Sequence, residues 1–320
     1  MSHIEALHPK LSRVIENIEK VIIGKRDVSV LSLVALLANG HVLLEDVPGV
    51  GKTMMVRALA KSVGAEFKRI QFTPDLLPSD VTGVSIYNPK ELEFEFREGP
   101  IFGNVILADE INRTSPKTQS ALLEGMEEGS ITVDGTTRIL TKPFFVMATQ
   151  NPVDYEGTYP LPEAQLDRFL FKLRMGYPSK AEEFEVLTLA EKERPIHKMT
   201  SVITKEELVE IQNQIQEVYV DETIKHYIIE ITGQTRKHPS IYLGTSPRAS
   251  IALMKAAQAY AFISGRDYII PDDIQFLAQY VLPHRMILRS EAKFEGKTTE
   301  ELVSDIIANT PVPVQRLLSR

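Results

Sequence analysis

The chain has 320 residues, 43% of them hydrophobic and 25% charged, which is typical of a soluble globular protein with room for two domains. Its formal net charge of −7 gives no support for a strongly basic nucleic-acid surface, although a local basic channel in an assembly is left open. The absence of cysteine excludes disulfides and cysteine metal sites. No apolar stretch is long enough to cross a bilayer and the N-terminus lacks a signal-peptide core, so we expect no membrane insertion and a cytoplasmic location.

From about Val21 to Arg174, short apolar runs alternate with helical segments, the pattern of a parallel α/β sheet. The candidate strands are residues 41–45, 67–71, 105–108, 144–149 and 169–173. Two other segments alternate apolar and polar residues, and each predicts a hairpin. One lies around residues 92–96, and the other spans 131–139 with Asp134-Gly135 as its turn.

After Gly176 the pattern becomes helical. Ser179, Thr204 and Thr298 are each followed three residues later by glutamate, which predicts three capped helix starts. Residues 224–235 and 249–263 show helical periodicity. The change predicts a domain boundary near Tyr177, with an α/β domain at 1–177 and an all-α domain at 178–320.

A glycine-rich loop follows the first candidate strand and ends in Gly51-Lys52-Thr53, and a helical stretch begins at Met54. Glycines allow backbone N–H groups to point at a phosphate, Lys52 can reach the β- and γ-phosphates, and the Thr53 hydroxyl can ligate Mg²⁺. Asp46 occupies the position at which the strict pattern G-x-x-x-x-G-K-[ST] has its first glycine. The loop predicts phosphate binding.

Two acids, Asp109 and Glu110, follow the strand at 105–108. In a phosphate-loop enzyme Asp109 would hold Mg²⁺, usually through water, and Glu110 would act as base for the attacking water or polarise it. Taken alone, the pair is equally consistent with two solvated carboxylates at a strand end. Its position downstream of a Gly-Lys-Thr loop favours the catalytic interpretation.

Three more polar residues are candidates for the same chemistry. Asn151, after the strand at 144–149, can hydrogen-bond the γ-phosphate or position water, or can simply cap a turn before proline. Arg168 can act as an arginine finger or form a structural ion pair with Asp167 or another acid. Arg248 follows Ser246-Pro247, which predicts a helix start that favours anions; the alternative is an exposed first-turn arginine.

The order of these motifs resembles MoxR-type AAA+ ATPases over nearly the whole chain, from about Val21 to Arg285. The stretches that carry the resemblance are Val47-Pro48-Gly49-Val50-Gly51-Lys52-Thr53, Leu107-Ala108-Asp109-Glu110-Ile111-Asn112-Arg113, Ala148-Thr149-Gln150-Asn151-Pro152, Gln165-Leu166-Asp167-Arg168-Phe169 and Ser246-Pro247-Arg248-Ala249, with further matches at 77–83, 99–102 and 117–124.

The resemblance implies an AAA+ αβα core with a five-stranded parallel sheet, a C-terminal helical lid, and ATP bound between subunits of a ring, commonly a hexamer. It implies a helix-2 insert around Phe94 and a pre-sensor-1 hairpin at Asp134-Gly135, which either grips a substrate or only shapes a pore. MoxR relatives also tolerate Asp46 in place of the first glycine of the loop.

By the same resemblance each candidate residue takes a role in an ATP and Mg²⁺ site. Lys52 and Thr53 belong to Walker A, Asp109 and Glu110 to Walker B, Asn151 is sensor 1, Arg168 is the trans-acting finger with Arg113 as a second candidate, and Arg248 is sensor 2. The residues expected around the nucleotide are Ile22, Ile23 and Gly24 beside adenine, and Pro48, Gly49, Val50, Gly51, Lys52, Thr53 and Met54 around the phosphates; Thr53 and Asp109 are expected to hold the metal.

These expectations together predict an ATPase that remodels or matures a partner protein in a chaperone-like role. Proteins with a von Willebrand factor A domain are the partners that the resemblance implies. Three alternatives are a magnesium-chelatase-type motor subunit, a helicase-like nucleic-acid motor, which the acidic balance disfavours, and an ATP-dependent scaffold with low turnover, which the paired acids disfavour.

Overall fold

A computed structural model of the chain describes residues 8–47, 49–151, 158–191 and 195–313. The described residues form two compact units, one of residues 9–212 and one of residues 213–313 together with His8. The boundary expected near Tyr177 coincides with the end of strand–helix alternation. The two units divide later, at Gln212/Asn213, and the segment after the last strand is hydrogen-bonded to helices of the first unit, as between Gln212 Nε2 and the Leu36 carbonyl oxygen.

The first unit is built from strands that the sequence places largely as predicted. Those described are β1 (Val42–Glu45), β2 (Phe67–Gln71), β3 (Gly83–Asn88), β4 (Glu93–Glu98), β5 (Val105–Asp109), β6 (Ser130–Val133), β7 (Thr136–Ile139), β8 (Phe145–Gln150) and β9 (Phe171–Leu173). Five of them form a sheet in the order β2-β5-β8-β1-β9, and all neighbours in this sheet are parallel. This confirms the predicted five-stranded parallel core.

Helices cover this sheet. Those described in the first unit are α1 (Pro9–Glu19), α2 (Arg26–Leu37), α3 (Lys52–Ser62), α4 (Pro78–Thr82), α5 (Pro116–Glu128), α6 (Glu163–Leu166), α7 (Lys180–Ala190), α8 (Pro195–Lys198) and α9 (Lys205–Ile215), which crosses into the second unit. The central strands β1 and β5 are apolar and buried except at their last residues, Glu45 and Asp109, as expected for a covered parallel sheet. Polar residues therefore appear only where these strands end.

Two antiparallel hairpins extend from this core. The first hairpin pairs β3 with β4, and the second hairpin pairs β6 with β7. Asp134 and Gly135 both have positive φ, 51° and 74°, as the turn chemistry of an Asp-Gly hairpin requires. The guanidinium carbon of Arg138 in the second hairpin lies 3.8 Å from the ring centre of Phe96 in the first, so a cation–π contact joins them.

The second unit is helical apart from one short sheet. Its further elements are α10 (Glu222–Lys237), β10 (Ile241–Leu243), α11 (Pro247–Ile263), α12 (Pro271–Val281), β11 (Ile287–Leu288), α13 (Ser290–Phe294) and α14 (Thr299–Asn309). The two strands pair antiparallel, a detail that the all-α prediction lacks. The predicted capping boxes at Ser179, Thr204 and Thr298 are present.

Within the described ranges, no helix has both the length and the apolar character needed to cross a bilayer.

Candidate functional site: a phosphate pocket beside an apolar pocket

The glycine-rich loop turns sharply into α3. Gly49 and Gly51 have φ of 89° and 93°, a conformation that glycine adopts far more easily than other residues, and Gly51 is the N-cap of α3. The free N–H groups of the first helical turn, at Lys52 and Thr53, carry the positive end of the helix dipole. This is a suitable anion site. Pro48, also expected here, lies outside the described residues.

A cavity of about 420 Å³, here called the phosphate pocket, lies at the start of α3. The loop and α3 meet the carboxyl ends of three sheet strands around it. Its lining residues are Gly49, Gly51, Lys52, Thr53 and Met54 from the loop and helix, and Arg69, Gln71, Asp109, Glu110, Thr149 and Asn151 from the strand ends. The structure thus brings the predicted Lys52, Thr53, Asp109, Glu110 and Asn151 together.

Lys52 is held by the backbone of its own loop. Its Nζ donates to the carbonyl oxygens of Asp46, at 2.7 Å, and Val47, at 3.2 Å. Burial lowers the pKa of Lys52 below its ordinary value, although the carboxylates of Asp46, Asp109 and Glu110 act in the opposite direction. The ammonium is thereby positioned beside the cavity.

Thr149, at the end of β8, holds both predicted acids. Its hydroxyl donates to Asp109 Oδ1 at 2.7 Å and accepts from the backbone N–H of Glu110 at 2.8 Å. Glu110 has φ 58°, an unfavourable backbone conformation for a residue other than glycine. The hydrogen bond from its N–H to the Thr149 hydroxyl stabilises this conformation. Thr149 thus positions the carboxylate of Asp109 directly, and it positions the backbone from which the Glu110 side chain extends.

Two residues of β2 complete this arrangement. Arg69 Nη2 donates to Asp109 Oδ2 and to Gln71 Oε1, both at 2.6 Å, and Gln71 Nε2 donates to Glu110 Oε2 at 3.0 Å. Arg113 Nη1 also reaches Glu110 Oε2, at 3.1 Å. Arginine and amide groups of this chain therefore contact both acids.

Sequence reasoning missed Arg69, Gln71 and Thr149. Alternation along β2 is a partial signal, because it places Arg69 and Gln71 on one face. The register that pairs Gln71 with Asp109 is seen only in the structure. Thr149 and Gln150 are the two polar residues that end an otherwise apolar strand. Polar residues at the carboxyl ends of parallel strands converge on one edge of a sheet.

A second cavity, here called the apolar pocket, has a volume of about 500 Å³ and shares Gly49, Gly51 and Met54 with the phosphate pocket. Its other lining residues are Val21, Ile22, Ile23, Lys25, Val50, Met175, Pro178, Val186, Leu189 and Ala190. The structure thus places the predicted Ile22, Ile23, Val50 and Met54 beside one cavity. Gly24, with φ 70°, lies outside this lining, and a Cβ there would collide with the side chain of Glu182.

Arg168 and Arg248 are not among the described residues that line the phosphate pocket. Arg168 forms an ion pair with Glu127 of α5, with Nε 2.8 Å from Oε2. Arg248 is exposed in the first turn of α11, in the second unit, after the predicted Ser246 N-cap and Pro247. Asn151 lines the pocket, and its backbone oxygen accepts from Asn112 Nδ2 at 3.3 Å.

Comparisons with known proteins agree with this geometry. Residues 41–171 match the ATPase family associated with various cellular activities (AAA), and residues 233–306 match the AAA lid domain. The chain is 69% identical to YeaC of Bacillus subtilis over 99% of both chains. It is 40% identical to Chaperone MoxR1 of Mycobacterium tuberculosis over 95% of this chain and 82% of that protein.

A solved structure of a candidate ATPase from Cytophaga hutchinsonii superimposes with a TM-score of 0.90 and 42% identity, covering 96% of each chain. The AAA match at residues 41–171 includes the glycine-rich loop and the strand ends that line the phosphate pocket. The chain belongs to the MoxR family of AAA+ ATPases.

Proposed function

We propose that this chain binds and hydrolyses Mg·ATP and uses the energy for chaperone-like remodelling or maturation of a partner protein. One observation carries the proposal. The loop and three strand ends place an ammonium, a threonine hydroxyl, two carboxylates and an amide around the phosphate pocket. These are the groups that phosphoryl transfer from a nucleotide requires.

Each group has a role that follows from its chemistry. The N–H groups at the start of α3 and Lys52 Nζ hold phosphate oxygens and stabilise charge that develops on them. Glu110 orients the attacking water or accepts its proton, and Asn151 hydrogen-bonds the γ-phosphate. Thr149, Gln71 and Arg69 hold the two acids in place through the hydrogen bonds described above.

The residues fit Mg²⁺ that arrives with the nucleotide. Asp109 and Thr53 supply oxygen donors beside the cavity, but the described residues contain no cluster of three or more His, Asp or Glu side chains that could cage an ion. Mg²⁺ does not need such a cage, because it usually binds through one or two carboxylates and takes its other ligands from water and substrate phosphates. When bound, the ion would neutralise charge on the β- and γ-phosphate oxygens.

The apolar pocket is the proposed site of the nucleobase. It adjoins the phosphate pocket through shared residues, and its lining of Ile22, Ile23, Met54 and their neighbours suits a flat apolar ring. Gly24 lies outside this lining, between Ile23 and Lys25, and its lack of a side chain leaves room for Glu182.

We assign the finger role to Arg168 acting in a neighbouring copy of the chain. Its separation from the lining of its own phosphate pocket, and its partial exposure of 28%, support a role in another subunit's site, in a ring that we propose to be a hexamer. Arg113, which contacts Glu110, is the second candidate. Arg248 is proposed as the sensor that the second unit contributes.

Chaperone-like work is supported by the name of the relative Chaperone MoxR1. We propose as partner a protein with a von Willebrand factor A domain, and we place the reaction in the cytoplasm, in keeping with a chain that contains no cysteine.

Replacement of Glu110 by Gln tests the ATPase. The variant keeps the shape of the side chain but cannot accept a proton, so steady-state phosphate release is expected to fall at least 100-fold while ATP affinity stays within about threefold. Unchanged hydrolysis would refute the role of Glu110. The same ATP-loaded variant, used as bait, should retain a client protein, whereas strong stimulation of the wild-type ATPase by DNA would instead indicate a nucleic-acid motor.

Mixing two inactive variants tests the assignment of the finger. Lys52→Ala removes a phosphate contact but leaves Arg168 intact, and Arg168→Ala does the reverse. If Arg168 acts in trans, mixed assemblies are expected to regain part of the activity that each variant lacks. If a mixture with Arg113→Ala recovers activity and one with Arg168→Ala does not, Arg113 is the finger.

A further inference from the structure

Asp46, which stands in place of the first glycine of the loop, makes contacts that reach the other pocket. Its Oδ2 accepts from the backbone N–H groups of Met175 and Gly176, the latter at 2.7 Å, and its Oδ1 accepts from Val47 N at 3.2 Å. Asp46 as a residue is 9% exposed, so these hydrogen bonds are largely shielded from water. A charged acceptor with several backbone donors forms a strong connection.

The residues that Asp46 holds begin one wall of the apolar pocket. Met175 and Pro178 line this pocket, and they lead into α7, whose Val186 and Leu189 line it further along. A Cβ at Gly51 would lie 3.9 Å from Met175 Cε, so the Met175 side chain extends to the phosphate loop itself.

A second part of the lining, which includes Lys25, is hydrogen-bonded to the same segment. Lys25 lines the apolar pocket, and its Nζ donates to the Tyr177 carbonyl oxygen at 3.1 Å. The contact between Gly24 and Glu182 joins the same two segments. Residues 24–25 and residues 176–182 are therefore in direct contact, and the carboxylate of Asp46 connects the second of these segments to the phosphate loop.

We infer that Asp46 is a positioning residue that fixes the wall of the apolar pocket relative to the phosphate loop, and so selects nucleotides over bare phosphate. The inference rests on the proposed binding of ATP. It contrasts with the view of Asp46 as a tolerated departure from the loop pattern. Asp46 then has two effects of opposite sign. Its hydrogen bonds position the pocket wall and favour nucleotide binding, whereas its negative charge near Lys52 opposes the binding of any anion.

A comparison of ADP with inorganic pyrophosphate tests the positioning role of Asp46, because both ligands carry a diphosphate and only ADP carries a base. For Asp46→Asn in the full chain, calorimetry is expected to show ADP binding about tenfold weaker, or about 1.4 kcal/mol. Pyrophosphate binding is expected to stay within twofold or to tighten. Asp46→Gly, which restores the strict loop pattern, is expected to behave in the same way.

Asp80→Asn is the control, since Asp80 Oδ2 accepts the N–H of Leu77 at 2.8 Å and Asp80 does not line either pocket among the described residues. Amide hydrogen exchange gives a second readout, and in Asp46→Asn the Met175 and Gly176 amides should exchange faster without nucleotide. Equal losses for ADP and pyrophosphate, no loss for ADP, or unchanged amide exchange would each overturn the inference. A wild-type chain that binds neither ligand would instead overturn the proposed function, and the inference with it.

Discussion

Arg69 and Asp109 form an ion pair in the phosphate pocket, with 2.6 Å between Nη2 and Oδ2. The guanidinium places a positive charge against the carboxylate proposed to hold Mg²⁺, and the Asp109 side chain is only 14% exposed. Arg69 is therefore expected to weaken cation binding at Asp109, while it also orients Gln71 toward Glu110.

Arg69→Ala should lower the Mg²⁺ concentration needed for half-maximal binding of a fluorescent ADP analogue. Because the Arg69 side chain is about half exposed, solvent screens the effect, and a shift of about threefold is expected. Arg57→Ala, which removes the same charge from an exposed position on α3, should leave the Mg²⁺ titration unchanged. A higher Mg²⁺ requirement in Arg69→Ala would contradict the expectation.

Thr149→Val should lower both stability and turnover. Valine has nearly the shape of threonine but leaves the N–H of Glu110 and one oxygen of Asp109 without their partner, at a cost of about 1–3 kcal/mol in the free energy of unfolding. Urea denaturation and steady-state phosphate release measure the two effects. Thr137→Val removes an exposed hydroxyl that contacts Thr132 and should change neither quantity, and equal behaviour of the two variants would argue against the role of Thr149.

His41 should make the protein less stable in mild acid. Burial lowers the pKa of His41 to about 4, although its hydrogen bond to the Met126 carbonyl acts in the opposite direction. An unfolded chain binds this proton near pH 6.5, so the folded state loses stability as the pH falls from about 6.5 toward 4.

Between pH 7 and pH 5 the contribution of His41 to the free energy of unfolding should fall by about 2 kcal/mol. In His41→Gln the loss between these two pH values should be smaller by that amount, as urea denaturation at each pH would measure. His226→Gln, at an exposed position of α10, is the control. A pH dependence that is identical in His41→Gln and wild type would disprove the account.

Asp273→Ala should destabilise the second unit. The carboxylate of Asp273 is 2% exposed, pairs with both terminal nitrogens of Arg266 at 2.6 and 2.8 Å, and accepts the N–H of Ile270 at the start of α12. The Arg266 side chain is 21% exposed and can be partly solvated, so the main cost is the lost hydrogen bonds and the unpaired Ile270 N–H, about 1–3 kcal/mol in the free energy of unfolding. Asp272→Ala, at the exposed neighbouring position, should change the urea midpoint little, and similar midpoints for both variants would argue against this contribution.

The sequence was sufficient for the parallel core because each central strand is apolar along its length and ends in polar residues. Lys52, Thr53, Asp109, Glu110 and Asn151, which the sequence singles out, line one cavity, since a loop and strand ends at one sheet edge converge; their roles stay predictions. The contacts of Arg69 and Asp46 do not follow from the pattern of apolar strands and polar strand ends. They depend on which strands are neighbours and on where the chain goes after β9, and both are set by tertiary packing.

The domain boundary also depends on tertiary packing that the sequence pattern does not reveal. The pattern of residues changes from alternating to helical near Tyr177, but periodicity alone does not tell which neighbour a helix packs against. α7 lines the apolar pocket of the first unit, so it belongs to that unit although it follows the last strand.

The contact between Arg138 and Phe96 has a mechanical consequence. It fastens the second hairpin to the first, although some 40 residues of chain separate the two side chains. A displacement of one hairpin relative to the other would therefore have to break this contact, which is worth about 0.5–2 kcal/mol.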